Sequence, residues 1–373
     1  MVSISLCMIV KDEEAVLERC LEAASKVVDE ICIVDTGSSD RTLEIARAKA
    51  DKFAEFAWCD DFSAARNASL KLATGDWILV LDADEVITGS AREELERFTR
   101  TAEAKGGKGH AGQVRIDDAP HPEAGMEASL SWVTRFFPRS ENPNFTGHIH
   151  EQLQLNSRPP MRARMQVTVL HDGYTAAGID SKDKLKRNVR MLSEALAQNK
   201  ADPYLWWQLG RTHAVSGDHE SALDAFTSAS DMVALEAPFL ASLCEATCYS
   251  LRALERYEEA LELIGNIAES FRDRADTVFL EALLSMDMGH VERADAGFRR
   301  CLQLAGTLPA GGPTSPSAST FAPAYNLGVL REVLGHGDEA RAYYNQALEM
   351  EPGHTASQLG LERIAGTKKE ASA

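Results

Sequence analysis

The sequence lacks the features that mark several large functional classes. It has no surplus of positive charge: 39 Lys and Arg against 57 Asp and Glu leave a formal net charge of -18. A nucleic-acid partner is not expected, because a phosphate backbone is met by a basic surface. Cysteine is scarce, with seven residues, no C-x-x-C spacing and most of them inside apolar runs. That argues against a disulfide framework and for a reducing, cytoplasmic compartment. Cys244 and Cys248 share a helical face, but no His or further Cys stands nearby and a zinc site is not expected. No run approaches the roughly 20 apolar residues of a membrane helix, so no integral membrane segment is expected. The apolar start is followed at once by Lys11-Asp12-Glu13-Glu14, which reads as a buried first strand and not a signal peptide. Two phosphate-binding signatures are missing as well. No G-x-G-x-x-G follows the first strand, and no G-x-x-x-x-G-K-[ST] occurs.

What is present falls into two halves with different rhythms, as the length of 373 residues suggests. Over the first 90 residues, short apolar runs alternate with amphipathic segments. Strands are expected at Ser3–Val10, Glu30–Val34, Phe53–Ala57 and Trp77–Leu81, with helices at Glu13–Ala24, Arg41–Ala50 and Ser63–Ala73. Val- and Ile-rich strands separated by helices of this length imply βαβ units and a parallel sheet. Residues 104–128 read as a loop insertion around a strand at Ala111–Ile116, and Leu130–Pro138 and Met165–His171 as further strands. The fold expected for residues 1–178 is therefore α/β.

From about residue 180 the pattern becomes helical with an internal period. Trp206, Leu209, Gly210, Gly217, Ala222, Phe226 and Ala229 match the W-x2-L-G and A-x3-F-x2-A positions of a tetratricopeptide repeat. Leu327, Gly328, Gly335, Ala340, Tyr344, Ala347 and Pro352 do so again, and Ala260 and Ala294 mark two weaker units between. About four repeats are expected over 179–366, with a Gly/Pro/Ser/Thr loop inserted at 306–320 and a disordered tail at 367–373. Small residues let paired helices approach, and such arrays offer a concave surface for a protein or peptide, or for a second copy of the chain.

Ligands of open parallel sheets lie beyond the carboxyl ends of the strands. Those ends here are Lys11-Asp12-Glu13, Asp35-Thr36-Gly37, Cys59-Asp60-Asp61 and Asp82-Ala83-Asp84-Glu85. Four acidic strand ends ask for a cation. Mg²⁺ or Mn²⁺ fits, taking one or two carboxylates and filling its other positions with water and phosphate oxygens.

The blocks Ser5–Glu14, Ile33–Thr42, Phe62–Asn67 and Gly75–Glu85 resemble family 2 glycosyltransferases of GT-A fold. The branch in view carries C-terminal tetratricopeptide repeats and includes peptide S-glycosyltransferases. The resemblance implies a nucleotide-diphosphate-sugar donor, with a UDP-sugar expected, and transfer with inversion to a protein, peptide or glycan. It implies that Val10, Lys11 and Glu13 lie against the nucleobase, that Asp35 accepts a hydrogen bond from it, and that Arg66 sits near the donor. Asp82, with Ala83 beside it, would contact the ribose or a metal-bound water, and Asp84 would hold the metal. Asp12 stands where many relatives have Asn and is left without a role. Phe145–Leu153 resembles the family's H-E-Q-L segment, making Glu151 the expected catalytic base and His150 the alternative. Val169–Tyr174 resembles the segment that supplies a metal-binding histidine, here His171. The rival expectation is a non-catalytic repeat scaffold with a vestigial sugar-nucleotide domain.

Overall fold

The structure is a computed structural model, and it describes residues 2–104, 109–119, 128–171, 181–267, 269–307 and 313–370. The chain divides into two compact units, Met1–Asn199 and Lys200–Ala373.

The first unit is built on an eight-stranded sheet. Its strands are β1 (Ile4–Val10), β2 (Glu30–Asp35), β3 (Lys52–Glu55), β4 (Trp77–Val80), β5 (Glu85–Ile87), β6 (His110–Asp118), β7 (Ser129–Pro138) and β10 (Met161–His171), in the order β3-β2-β1-β4-β7-β6-β10-β5. The short pair β8 (Asn144–Thr146) and β9 (Gln152–Gln154) stands apart from it. The connecting helices are α1 (Leu17–Ala24), α2 (Thr42–Lys49), α3 (Phe62–Leu70) and α4 (Ala91–Ala104). The strands β1 to β4 pair in parallel as expected, but β7 runs antiparallel to both β4 and β6, and β5 antiparallel to β10. The sheet is mixed, which corrects the parallel reading.

Burial on both faces explains why β1 and β4 are almost wholly apolar. Ile4, Leu6, Met8 and Val10 face one layer and Cys7 the other, and Trp77 and Leu79 are likewise opposed to Ile78 and Val80. The first layer is closed by α1, whose Leu17, Cys20, Leu21 and Ala24 recur at helical spacing and are fully buried. Gly75, just before β4, has no substitute: a Cβ there would lie 2.7 Å from Ser5 Oγ and 2.8 Å from its backbone nitrogen. All seven cysteines are free, and only Cys59 is exposed.

A further helix, α5 (Ser181–Gln198), belongs to this first unit. Arg190 reaches Asp60 at 3.0 Å, and Arg187 lies over the Phe62 ring. The compact units thus divide about 20 residues beyond the expected boundary at 178, which itself falls among residues outside the description.

Among the described residues, the second unit contains four helix pairs: α6 (Pro203–Val215) with α7 (His219–Ser230), α8 (Leu240–Ala253) with α9 (Tyr257–Ile267), α10 (Ala275–Asp287) with α11 (Val291–Gln303), and α12 (Phe321–Val333) with α13 (Gly337–Met350). The expected alanines Ala222, Ala260, Ala294 and Ala340 are each 0% exposed. Gly210 lies directly on the Phe226 ring, and a Cβ on Gly328 would meet Tyr344 at 2.7 Å. The described part of the inserted segment is tied down by charge. The Arg274 guanidinium, buried and paired with Glu245 at 2.8 Å, donates to the Pro313 carbonyl, and Asp276 accepts from the Ser315 amide. A last helix, α14 (Thr355–Glu370), continues through the first four residues of the expected tail; 371–373 lie outside the description. No described helix is long and apolar enough to cross a membrane.

Candidate active site

The carboxyl end of β1 is laced to the loop after β2. Val10's carbonyl accepts from the Thr36 amide and hydroxyl, the Asp12 amide donates to Ser38 Oγ, and Asp12 Oδ1 accepts from the Ser39 amide at 2.7 Å. Asp12, left without a role by the sequence, ties these two loops together. Asp35 is 2% exposed. Its Oδ1 accepts from the Gly37 and Ser38 amides at 2.8 and 3.0 Å, a turn that Gly37 closes at φ +104°. Its Oδ2 is buried with no hydrogen-bond partner. A buried carboxylate oxygen without a donor is costly, and such an atom marks a place where a donor from outside is received. Lys11 is exposed and Glu13 half-buried beside this loop. Burial, then the nearby charge of Asp84, pushes the Glu13 carboxyl up to about 7.

The third acidic strand end is used otherwise than expected. Asp61 caps α3 by accepting from the Ala64 amide, and Asp60 accepts from Trp58 Nε1 and pairs with Arg190 on α5. Those two carboxylates are committed to local structure.

The centre of the site is an alternating chain of charges. Glu151 Oε1 accepts from Arg66 Nε at 2.5 Å, and Arg66 Nη2 reaches Asp82 Oδ1 at 2.7 Å. Asp82 Oδ2 takes Arg135 Nη2 at 2.7 Å, and Arg135 continues to Glu85 at 2.5 Å. Five groups from α3, the β4 end, β5, β7 and the segment before β9 are thereby joined. Burial opposes ionisation of Asp82, but Arg135 and Arg66 outweigh it and hold the carboxyl well below the usual range. Burial pushes Glu85 up in spite of Arg135. Removing one member of such a buried chain strands the charge of its neighbour.

The loop carrying Glu151 is fixed by α3. Asn67 bonds both ways to Phe145 on β8, and the Phe62 amide donates to the His148 carbonyl. The loop then turns sharply, with His150 itself in the left-handed region at φ +53°.

At the next strand end, His171 Nε2 lies 3.2 Å from Asp84 Oδ2 and its Nδ1 2.7 Å from Asp118 Oδ1. Asp118, then Asp84, pushes the imidazole up to about 10. Asp84 and His171 stand 3.2 Å apart as a hydrogen-bonded pair; with the Nε2 proton displaced they would be one carboxylate and one imidazole available to a Mg²⁺ or Mn²⁺ that also binds phosphate and water. Both oxygens of Asp82 meet guanidinium groups, Arg66 on Oδ1 and Arg135 on Oδ2. Among the described residues, no group of three or more His, Cys, Asp or Glu side chains is placed to hold a metal ion. Asp172, Gly173 and Tyr174 lie outside the description.

Sequence reasoning missed Arg135 and Asp118. The signal for Arg135 was available: a charged residue inside the apolar run Trp132–Phe137 is 9% exposed and must have a partner.

Two family profiles match the chain. Glycosyl transferase family 2 covers residues 5–152, and a tetratricopeptide repeat covers 324–354, the α12–α13 pair. The N-terminal unit carries a family 2 glycosyl transferase domain. This glycosyl transferase domain is followed by a tetratricopeptide array. The chain is 34% identical over 230 residues to a TPR repeat-containing protein of Synechococcus elongatus, covering 60% of this chain and 55% of that one. It is 25% identical over 230 residues to the SPbeta prophage-derived glycosyltransferase SunS of Bacillus subtilis, covering 60% and 52%. The chain thus spans about half the length of these curated relatives. Among solved structures, MamA aligns with 16% identity and a TM-score of 0.38 over 48% of this chain and 96% of that one.

Proposed function

We propose that the first unit transfers a sugar, with inversion, from a nucleoside-diphosphate sugar to an acceptor, with Glu151 taking the acceptor's proton. The observation that carries this reading is the ion-pair chain from Glu151 through Arg66 to Asp82. It draws three separate family blocks into one cluster. Arg66 occupies only one oxygen of Glu151. As the acceptor's oxygen or sulfur attacks the anomeric carbon, its proton passes to Glu151 and the bond from that carbon to the diphosphate oxygen breaks. Arg66 and Arg135 keep Glu151 and Asp82 in place. Asp35 Oδ2 receives an N–H of the base, with Val10, Lys11, Glu13 and Ala83 lining the donor. Asp84 and His171 would hold Mg²⁺ or Mn²⁺, which when bound neutralises charge on the leaving diphosphate. The repeats would present a protein or peptide acceptor, or a second copy of the chain.

Thermal denaturation with UDP-, GDP- and dTDP-sugars, with and without Mn²⁺, tests this. A donor at 100 times its Kd contributes about 2.7 kcal/mol, which raises the melting temperature of a unit this size by roughly 5–10 °C. Asp35→Asn keeps an acceptor for the turn but offers an amide N–H to the base, and should abolish the rise. If no donor raises the melting temperature, the domain is vestigial and the scaffold reading replaces this one.

A further inference from the structure

Four strands of the sheet end in one row of side chains. Asp118 on β6 is paired in register with Ser129 on β7 and with His171 on β10, and His171 with Glu85 on β5. The backbone closes the row, the Ala119 amide donating to the His171 carbonyl at 3.1 Å. Within it, Ser129 Oγ donates to Asp118 Oδ2 while Asp118 Oδ1 meets His171 Nδ1 at 2.7 Å. His171 Nε2 is thereby turned to Asp84.

We propose that Asp118, itself held by Ser129, is a positioning residue for the cation site: it keeps the proton of His171 on Nδ1 and aims Nε2 at Asp84 as a metal ligand. The proposal rests on the reading of Asp84 and His171 as the cation's ligands. A metal displaces the proton of the imidazole nitrogen it binds, and the hydrogen bond made by the other nitrogen decides which of the two is open to it. A carboxylate on the far nitrogen also makes the ligating one more basic, and loss of such a partner typically weakens metal binding 10- to 100-fold. Asp118 is 53 residues from His171 in the chain and reaches it only because β6 and β10 are neighbours in register. A purely structural role would leave the metal's ligand set untouched and show only in the melting temperature.

Mn²⁺ alone, titrated into the full chain and followed by the electron paramagnetic resonance of the free ion, tests this. Electron spin echo modulation from ¹⁴N reports whether an imidazole ligates the ion. Wild type should bind Mn²⁺ with ¹⁴N modulation. Asp118→Ala should bind about 10- to 100-fold more weakly and lose the modulation. Asp118→Asn, whose amide oxygen still accepts from Nδ1–H, should retain both in part, and Ser129→Ala should cost a few-fold (a lesser share of the same effect). These two variants carry the test if Asp118→Ala does not fold. Wild-type affinity and modulation in Asp118→Ala, or in Asp118→Asn and Ser129→Ala if it does not fold, would overturn the positioning role alone. An absence of Mn²⁺ binding or of ¹⁴N modulation in wild type would overturn the cation reading and this role together.

Discussion

Replacing Arg66 by Met tests whether the buried charge chain organises the site. Arg66 is 8% exposed, and its guanidinium bridges Glu151 at 2.5 Å and Asp82 at 2.7 Å. Removing it leaves Asp82 with Arg135 but strands Glu151, whose side chain is only 14% exposed. Breaking a buried pair this way costs about 3–5 kcal/mol. Arg66 Nη1 is itself buried without a partner, so its removal returns about 1 kcal/mol. The expected net loss, by the same principles, is about 2–4 kcal/mol. For a unit of this length that lowers the melting temperature by roughly 5–15 °C in calorimetry. The decisive comparison is the double variant Arg66→Met/Glu151→Gln. With the stranded charge gone, it should be less damaged than the two single losses added together, by about 1–3 kcal/mol. Additivity within about 0.5 kcal/mol would refute the reasoning, since it would mean that Glu151 and Arg66 do not depend on one another.

Two further outcomes concern the repeat unit. Gly210→Ala should destabilise it by about 1–2 kcal/mol, because overpacking against the Phe226 ring outweighs the gain in helix propensity; Gly265→Ala, with nothing near a new Cβ, should stabilise it by up to about 1 kcal/mol, and chemical denaturation of both checks the contrast. Burial, then the charge of Glu245, raises Asp276 to about 6 from 3.8. The folded unit therefore binds this proton more tightly than the unfolded chain, and the group costs stability as pH rises from about 4 to 6, reaching roughly 3 kcal/mol above that window. Asp276→Asn should remove that loss, so its advantage over wild type should be small at pH 4 and largest at pH 7; an equal difference at both pH values would contradict it.

The strand–helix alternation of the first unit and the repeat signature of the second were legible in the sequence because each rests on local periodicity. The buried alanines at 222, 260, 294 and 340 stood where the pattern put them. What stayed hidden depends on distant pairing. The antiparallel β7 and the edge strand β5 depend on pairing with strands distant in the chain, which no local period encodes. The basic helix α5 read as the start of the array, yet Arg190 and Arg187 pack it on the Asp60–Phe62 segment. In the site, motif blocks brought Asp35, Arg66, Asp82, Asp84, Glu151 and His171 to attention. The motif could not say that Asp82 spends both oxygens on arginines, because one of those, Arg135, lies 53 residues away on another strand.

The central claim is that Glu151 takes the acceptor's proton, and the most direct measurement is nucleoside-diphosphate release from the donor that stabilises the protein, compared between wild type, Glu151→Gln and His150→Gln. Glutamine keeps the size and hydrogen-bonding capacity of Glu151 but cannot accept a proton at neutral pH. Donor affinity should stay within a few-fold, while turnover in Glu151→Gln falls by about 10²–10⁴ and in His150→Gln by distinctly less. Wild-type turnover in Glu151→Gln with a dead His150→Gln would contradict the claim and move the base to His150.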